Sequence, residues 1–597
     1  MSRWTLYGAV SLALLAGCID RRYPAPGKDD AGQEGPQGEP PVGPACGDRG
    51  IQLEPRAIAQ LVLPPQVATR NISDWLRVEV SPDGKRLLFL QSITEKGSLQ
   101  SVNLETGEHQ VLLTDMGMTD LVRFTADGRV ALMMSVNPEV ADVRWLRAIW
   151  LEDGRVVTLS RTMAPVAAGR NSQERVPQLL PFVLDARRGA VVTSEQDPDG
   201  SYSLVSLSLE DGSRTRLASQ ARFFGQPYDA SGRTERVFYT EPGGLSEWLL
   251  AEGRPRYLLP CEATCPDVAM SEDGRLALVT RTSWTGVHTL YQFPFPSLGE
   301  DVVVLGEKFD ELPYLVPATR FSPDGRLALA YEAFRPKDCL RGYDSQVFRV
   351  DLPTRKMELL SDAGGIPSPE VVFSPDSSKL LLPLEHEREA CYIGQWPSFR
   401  LYLYPSDFSS STVLTLPVDP GRAFGARAIT RNSQWALWED NFAWYSGSHV
   451  VTRVKSKDLY ANRLDQPAQP RSIGQLIYEW ASLGDSQVVW SGTDGGVTVH
   501  DLEANVGDSL PCEIKGPASL LPSPDRSRVL VVSPRTGVYP ELRPGAGYVS
   551  SEDGGLVRIS SRPWDDLDKT GRGFFKWVDS HRLLMLDQDR LSLLELP

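Results

Sequence analysis

One short turn sequence recurs along this chain, each time between two short apolar runs, and it constrains the fold more than any other feature. Proline presets its own φ, aspartate accepts hydrogen bonds from amides ahead of it, and glycine adopts positive φ easily, so the chain reverses at each copy. The pattern therefore predicts a β-hairpin turn. The best copies are Ser81-Pro82-Asp83-Gly84, Thr125-Ala126-Asp127-Gly128, Ser271-Glu272-Asp273-Gly274, Ser322-Pro323-Asp324-Gly325, Ser374-Pro375-Asp376-Ser377 and Ser523-Pro524-Asp525-Arg526.

Weaker copies fill the gaps between these turns. Successive copies are separated by roughly 40 to 60 residues, which suits a four-stranded propeller blade with its loops. Helical periodicity is missing and the apolar runs are rich in aromatic and β-branched residues, so the sequence predicts an all-β fold. The weaker copies are Asp185 to Gly189, Asp229 to Gly232, Arg431 to Gln434, Gly484 to Gln487 and Val578 to His581.

The copies define about eleven units, more than the usual four to eight blades of one ring. We therefore expect two propellers dividing near residue 310, in regions 51–310 and 311–597, with one large or irregular propeller as the alternative. The last unit shows only three strands in the sequence. We expect Gln60 to Leu63 to supply the fourth and close the open edge.

The recurring Ser-Pro-Asp-Gly hairpin resembles the β-propeller repeat of the TolB-like family, a WD-like repeat, over nearly all of residues 70–597. This resemblance implies a periplasmic binding scaffold. The resemblance indicates the fold specifically but gives little information about function, because the motif marks the first hairpin of a blade and no active site. TolB-like proteins are soluble in the periplasm, so the anchor predicted next departs from that pattern.

Residues 1–17 have the charged-then-apolar order of a secretory signal peptide, with Arg3 before an uncharged run from Trp4 to Leu15. Twelve or so helical residues cover only about 18 Å of a hydrocarbon core about 30 Å thick, so a transmembrane helix is not expected. Leu15-Ala16-Gly17-Cys18 then resembles the lipobox of bacterial lipoproteins. The resemblance implies that Cys18 is acylated and anchors the protein, with an ordinary signal peptide as the alternative.

Ile19 follows the cysteine where an aspartate would signal retention at the inner membrane, so the resemblance implies a cell-envelope protein at the outer membrane. Residues 18–50 are predicted to be the lipidated cysteine and a flexible Pro/Gly-rich tether. The net charge of −15, with no basic block, argues against nucleic acid as a partner.

Six cysteines besides Cys18 make an even number, which in an oxidising compartment favours disulfides. Cys261 and Cys265 can bridge a small loop. Cys339 and Cys391 each lie fifteen residues after the aspartate of a turn, so they occupy equivalent positions on neighbouring units. Cys46 and Cys512 would then form the third pair, with free buried thiols as the alternative to all three.

No recognisable catalytic motif is present. The Gly-x-Ser-x-Gly phrase of a propeller-capped serine peptidase does not occur, and the six histidines are spread over different units without metal-pair spacing. Asp197-Pro198-Asp199-Gly200 resembles half a calcium loop but lacks the later glutamate, so a plain hairpin turn is the favoured interpretation. We expect no catalytic, cofactor-binding or metal-binding residues.

An aromatic and acidic cluster runs through residues 435–445. Alternation along strands favours packing of these side chains in the core between blades. Trp444 and Tyr445 are the candidates for contact with a sugar or a protein partner.

The expected function is a non-catalytic scaffold that binds envelope proteins or cell-wall components through its loops. The alternative is an envelope enzyme acting on glycans or peptides with a site over the propeller channel, and a ligand or metal sensor is a third possibility.

Overall fold

The computed structural model divides the chain into two compact units, Met1–Ala45 and Cys46–Pro597. All of the described residues belong to the second unit, and they form strands and turns with no helix. The all-β prediction is therefore confirmed. The structure describes residues 56–60, 76–91, 97–116, 119–136, 143–164, 180–223, 232–260, 268–271, 276–282, 288–294, 303–309, 313–314, 321–334, 344–361, 371–385, 399–407, 411–414, 422–442, 457–467, 469–493, 496–510, 518–532, 546–550, 556–558, 574–587 and 590–596.

The first five four-stranded units follow one N-terminal strand, β1 (Arg56–Gln60). Unit 1 contains β2 (Leu76–Val80), β3 (Arg86–Gln91), β4 (Gly97–Asn103) and β5 (His109–Met116). Unit 2 contains β6 (Thr119–Phe124), β7 (Val130–Val136), β8 (Arg144–Trp150) and β9 (Val156–Met163). Unit 3 contains β10 (Phe182–Asp185), β11 (Ala190–Gln196), β12 (Tyr202–Ser208) and β13 (Arg214–Ala218). Unit 4 contains β14 (Arg222–Phe223), β15 (Arg236–Glu241), β16 (Gly244–Leu249) and β17 (Arg254–Pro260). Unit 5 contains β18 (Val268–Met270), β19 (Leu276–Thr282), β20 (His288–Pro294) and β21 (Val303–Phe309).

Six further units complete the described chain. Unit 6 contains β22 (Pro313–Tyr314), β23 (Leu327–Phe334), β24 (Asp344–Asp351) and β25 (Lys356–Ser361). Unit 7 contains β26 (Val372–Phe373), β27 (Lys379–Glu385), β28 (Phe399–Pro405) and β29 (Thr412–Val413). Unit 8 contains β30 (Arg422–Ile429), β31 (Trp435–Phe442), β32 (Lys457–Arg463) and the first half of β33 (Arg471–Leu483). Unit 9 contains the second half of β33, β34 (Gln487–Gly492), β35 (Val497–Asp501) and β36 (Val506–Ser509). Unit 10 contains β37 (Ser519–Pro522), β38 (Arg528–Val532), β39 (Ala546–Ser550) and β40 (Leu556–Arg558). Unit 11 contains β41 (Phe574–Trp577), β42 (Arg582–Asp587) and β43 (Arg590–Glu595), together with β1.

Units 1 to 10 are antiparallel meanders of consecutive strands, which is the construction of a propeller blade, and unit 11 has the same form with β1 as its fourth strand. Seven units are separate four-stranded sheets. Units 2 and 3 are joined by a single pairing between Met163 and Glu195, and units 8 and 9 share β33. These exceptions do not change the repeat, because each unit still presents two faces to its neighbours.

A hydrophobic core lies between each unit and the next along the chain, from unit 1 to unit 11. Unit 11 also packs on unit 1, where Leu593 and Phe89 share one core. On either side of residue 310, Leu278 of unit 5 and Ala328 of unit 6 again lie in one core. The described packing thus continues across residue 310, as in the alternative of one large ring, and the division into two propellers stays a prediction.

The ring is closed by the N-terminal strand. β1 pairs antiparallel with β43, with Arg56 opposite Leu593 and Gln60 opposite Arg590. The prediction that an early segment completes the last unit is confirmed, but the strand is Arg56–Gln60 and begins four residues before the predicted Gln60. The Arg56 guanidinium also donates to the Leu104 carbonyl of unit 1 at 2.9 Å.

The recurring turns are held by a hydroxyl that the sequence interpretation did not explain. In the first copy, the Ser81 hydroxyl donates to Asp83 Oδ1 at 2.6 Å and accepts the Arg86 N–H at 2.9 Å. Asp83 Oδ1 also accepts the Lys85 N–H at 3.1 Å, and the Gly84 N–H donates to the Ser81 carbonyl at 2.8 Å. A buried hydroxyl stands at the same position in six other units, as Thr125, Ser271, Ser322, Ser374, Thr430 and Ser523.

Adjacent turns are hydrogen-bonded to one another. The Asp324 N–H of unit 6 donates to Ser377 Oγ of unit 7 at 3.0 Å, and Arg582 of unit 11 donates to the Gly84 carbonyl of unit 1 at 3.2 Å. The turns therefore lie on one side of the ring. We call the opposite ends of the strands, where the second strand of a unit ends and the third begins, the loop face.

Replacing Asp376 with asparagine is expected to destabilise the protein at pH 7 by about 1 kcal/mol, a value reduced for the solvent exposure of this turn. Burial alone would raise the pKa of Asp376, but hydrogen bonds from Ser374 and Ser378 outweigh it and lower the pKa to about 2. Because the folded pKa is depressed, this stabilisation is present above the unfolded value near pH 4 and is lost as the pH falls towards 2.

The difference in melting temperature between the wild type and Asp376→Asn should therefore shrink between about pH 4 and pH 2. Asp508→Asn, on the exposed strand β36, is the control and should show little difference at any pH. A constant difference for Asp376→Asn down to pH 2 would rule out the carboxylate as its source.

Candidate functional site

The residues that the sequence singled out as sites lie outside the described residues. These are the lipidation site Cys18, the three cysteine pairs Cys46–Cys512, Cys261–Cys265 and Cys339–Cys391, and the candidate contacts Trp444 and Tyr445. The lipidation and disulfide predictions therefore stay predictions. No described part of the chain forms a helix that is long and apolar enough to cross a membrane.

The aromatic and acidic segment that precedes Trp444 is described, and it is a core strand. Trp435 is fully buried and Trp438 is 3% exposed, on opposite faces of β31 and in two different interblade cores. The Trp438 ring stacks on Tyr460 with 4.4 Å between centroids. The prediction of core packing is confirmed for these two tryptophans.

Two glutamates approach each other at the loop-face end of units 8 and 9. Glu439, on β31, is 3% exposed; it accepts the Trp480 indole N–H at 2.7 Å and pairs with Lys457 Nζ at 3.4 Å. Glu479, on the second half of β33, accepts the Leu520 N–H of unit 10 at 3.0 Å. The pair thus connects three consecutive units.

Burial raises the pKa of the Glu479 carboxyl, and the negative charge of Glu439 acts in the same direction. The Leu520 N–H and the Lys457 ammonium oppose this rise without cancelling it. A carboxyl with a raised pKa can hold a proton at a higher pH than usual. Its hydrogen bond to the backbone of unit 10 also makes it a structural link between blades.

Two large apolar side chains lie exposed beside these carboxylates. Leu476 is 56% exposed and Tyr478 is 45% exposed, at the point where β33 passes from unit 8 to unit 9. Leu476 adopts a φ of 52°, a conformation that costs a residue with a Cβ about 1–3 kcal/mol. Its N–H donates to Asp458 Oδ1 at 3.2 Å and its carbonyl accepts the Thr493 N–H at 2.9 Å. Neighbouring strands therefore hold the strained backbone and present both side chains to solvent.

We define the β33 patch as Leu476 and Tyr478 with the carboxylates of Asp458 and Glu479 around them. Sequence interpretation missed it, because a leucine and a tyrosine in a strand normally indicate core packing. The available signal was the interrupted alternation in Gly474-Gln475-Leu476-Ile477-Tyr478, where three large apolar residues in a row exceed what one buried face of a strand can take.

The Asp197 segment is a plain hairpin turn, as favoured from the sequence. The Gly200 N–H donates to the Asp197 carbonyl at 2.9 Å, and the Asp197 carboxylate pairs with Arg214 at 3.2 Å and Arg216 at 3.0 Å. A hydrogen bond from Ser203 is the largest cause that lowers the pKa of Asp197. The Asp197 carboxylate is therefore paired with two arginine cations of the chain itself.

The histidines with described side chains belong to separate units. His109 of unit 1 contacts Gln100 Oε1 at 2.8 Å, and burial lowers the pKa of both His109 and His500. His581 lies in the turn of unit 11, where its ring is 3.2 Å from Arg528. Across the described ranges, no group of three or more His, Cys, Asp or Glu side chains is arranged to hold a metal ion.

Comparison with known proteins gives structural similarity at low identity. No family model matches the chain, and no curated protein matches it. The tricorn protease matches with 11% identity and a TM-score of 0.29 over 83% of this chain and 62% of its own. Porphyromonas gingivalis dipeptidyl peptidase 4 matches with 10% identity and a TM-score of 0.36, over 87% and 65% of the two chains. The Dos1 propeller matches with 12% identity and a TM-score of 0.30, over 70% and 90%. This chain therefore spans about two thirds of the length of the two peptidases.

Proposed function

We propose that this chain is a lipid-anchored cell-envelope β-propeller of the TolB-like kind, which acts as a non-catalytic scaffold and binds an envelope protein or a cell-wall component at its loop face. In this proposal Cys18 carries the lipid, residues 18–50 are the tether, and the protein lies at the outer membrane. No cofactor is involved.

The β33 patch is the observation that carries the proposal. Exposed leucine and tyrosine side chains on a fixed backbone lose little conformational freedom on binding, which makes them good anchors for a partner. The ring of interblade cores on both sides of the patch keeps that backbone in place. A scaffold needs this combination of a rigid frame and an exposed apolar contact, and it needs no catalytic group.

Replacing Leu476 with asparagine should weaken partner capture about tenfold, the usual effect of losing one interface anchor. Asparagine tolerates positive φ better than leucine, so the variant should fold at least as well as the wild type. The measurement is chemical cross-linking of the membrane-bound protein in whole cells, followed by mass spectrometry of the captured partners.

Val506→Asn is the matched control, since Val506 is 52% exposed on the outer strand of the same unit 9. A Cys18→Ala variant tests the anchor and should lose the same partner. Equal capture by Leu476→Asn and the wild type would exclude the β33 patch. Turnover of a cell-wall glycan or peptide by the wild type, abolished in Glu479→Gln, would replace the scaffold with the envelope enzyme that is the alternative.

A further inference from the structure

Two arginines share one indole at the loop-face end of unit 2. The Arg147 guanidinium lies 4.5 Å from the centroid of the Trp145 ring, and the Arg161 guanidinium lies 5.7 Å from it. Trp145 and Arg147 are on β8, and Arg161 is on the neighbouring strand β9. Cation–π contacts of this kind stabilise each cation but leave its hydrogen-bonding groups to be satisfied elsewhere.

Arg147 is a buried cation without a carboxylate partner among the described residues. It is 9% exposed, and the hydrogen bond that the structure gives it is to the neutral Ser135 hydroxyl at 3.3 Å. Burial lowers the pKa of Arg147, and the positive charge of Arg161 lowers it further. A buried charge with a like charge beside it is costly unless an opposite charge compensates it.

The other arginine that is buried among the described residues is compensated. Arg236 of unit 4 is fully buried and lies 3.4 Å from the Glu247 carboxylate. The exposed Arg214 of unit 3 is also paired, with the mostly buried Glu195 at 2.8 Å. Among the described residues, Arg147 thus differs from Arg236, whose buried charge has a carboxylate beside it.

An unsatisfied donor lies in the same place. The Trp145 indole N–H is inaccessible to solvent and meets no acceptor in the described part of the chain. The site therefore places one unpaired indole N–H beside the buried Arg147 cation, with the Arg161 guanidinium over the same ring. Oxyanions are the ligands that accept hydrogen bonds from several such donors at once, and the planar fork of arginine suits them.

We propose that Trp145, Arg147 and Arg161 form a binding site for the oxyanion group of a ligand, a carboxylate, phosphate or sulfate. The bound group compensates the buried charge of Arg147 and accepts the indole N–H. This site lies on a different unit from the β33 patch and does not depend on the scaffold function.

Thermal unfolding of the purified full chain tests the site, with sodium phosphate, sodium sulfate and sodium acetate compared with sodium chloride at the same ionic strength. At least one of the three oxyanions should raise the melting temperature of the wild type saturably. Comparison of phosphate and sulfate with acetate then distinguishes a phosphate-like from a carboxylate ligand.

Arg147→Met keeps much of the side-chain volume and removes the charge. It should weaken binding of the effective anion by about ten- to hundredfold, and without added anion its melting temperature should equal or exceed that of the wild type. Arg161→Gln, at an exposed position, should weaken binding about tenfold. The control Arg155→Gln removes an exposed arginine that lies over Trp150 at 4.9 Å in the same unit and should bind like the wild type.

Three results would overturn the proposal. One is a wild-type melting temperature that responds to the oxyanions no more than to chloride. The second is an unchanged response in Arg147→Met. The third is a loss of several degrees by Arg147→Met in chloride alone, which would show that the chain itself already compensates the charge.

Discussion

Replacing Glu247 with alanine is expected to lower the free energy of unfolding by about 3–5 kcal/mol, the usual cost of leaving one partner of a buried ion pair alone. Glu247 and Arg236 are both fully buried, on β16 and β15 of unit 4, with 3.4 Å between Oε2 and Nη1. Arg256, on β17, also pairs with Glu247. The alanine variant would remove the carboxylate that the fully buried Arg236 and the partly buried Arg256 share.

The effect should extend beyond unit 4. Arg236 also donates to the Phe293 carbonyl of unit 5 at 2.9 Å, so the ion pair fixes the side chain that connects two blades. Phe293 lies in the core between those units together with Phe238. Urea unfolding followed by tryptophan fluorescence would measure the loss.

Glu252→Ala provides the control, because Glu252 pairs with Arg254 at 2.5 Å on the exposed surface of the same unit. Exposed pairs contribute up to about 1 kcal/mol, so this variant should unfold almost like the wild type. The double variant Glu247→Leu with Arg236→Met should regain much of the stability that Glu247→Ala loses. If Glu247→Ala were no less stable than Glu252→Ala, the buried pair could not be holding units 4 and 5 together.

The turn sequence located the blades because its chemistry is local. Proline, aspartate and glycine act within four residues, and the strands on either side follow from the apolar runs. Where the glycine is missing, the backbone still adopts the same conformation, with φ of 59° at Ser377 and 60° at Arg526. The role of the first residue was less accessible, because a serine before proline is common in turns and only the fold shows that its hydroxyl is buried.

Ring closure was predictable and the number of rings was not. An unfinished last unit needs a fourth strand, and the apolar segment near the start was the available source. The longer spacing near residue 310 was interpreted as a domain boundary, whereas Leu278 and Ala328 pack across it. Spacing along the chain reports loop length, and it does not report whether neighbouring units share a core.

The charged sites could not be predicted because they depend on approach between different strands. Arg147 and Arg161 are separated by thirteen intervening residues and reach the same indole ring only because β8 and β9 pair. Glu439 and Glu479 belong to different units, and no pattern in the sequence relates one to the other. Exposure of Leu476 likewise accompanies its positive φ and the register shift that follows it in β33, which alternation alone does not predict.

Replacing β1, residues 56–60, with Gly-Ser-Gly-Ser-Gly is expected to open the ring and lower the free energy of unfolding by about 3–5 kcal/mol. The change removes the Ile58 and Ala59 side chains from the core that Leu593 and Phe89 share, together with the Arg56 hydrogen bonds to unit 1. Glycine also disfavours the extended backbone on entropic grounds, so pairing with β43 should be lost.

The freed edge of β43 should also make the variant associate, because an unpaired strand edge is a template for another chain. Urea unfolding and light scattering after size-exclusion chromatography would measure the two effects. The matched control replaces β36, Val506–Ser509, with Gly-Ser-Gly-Ser, since β36 is likewise an outermost strand but is exposed along its whole length. That variant should lose about 1 kcal/mol and remain monomeric. Equal losses in the two variants would mean that β1 stabilises the protein as any edge strand does and that the join between units 11 and 1 is not what holds the ring closed.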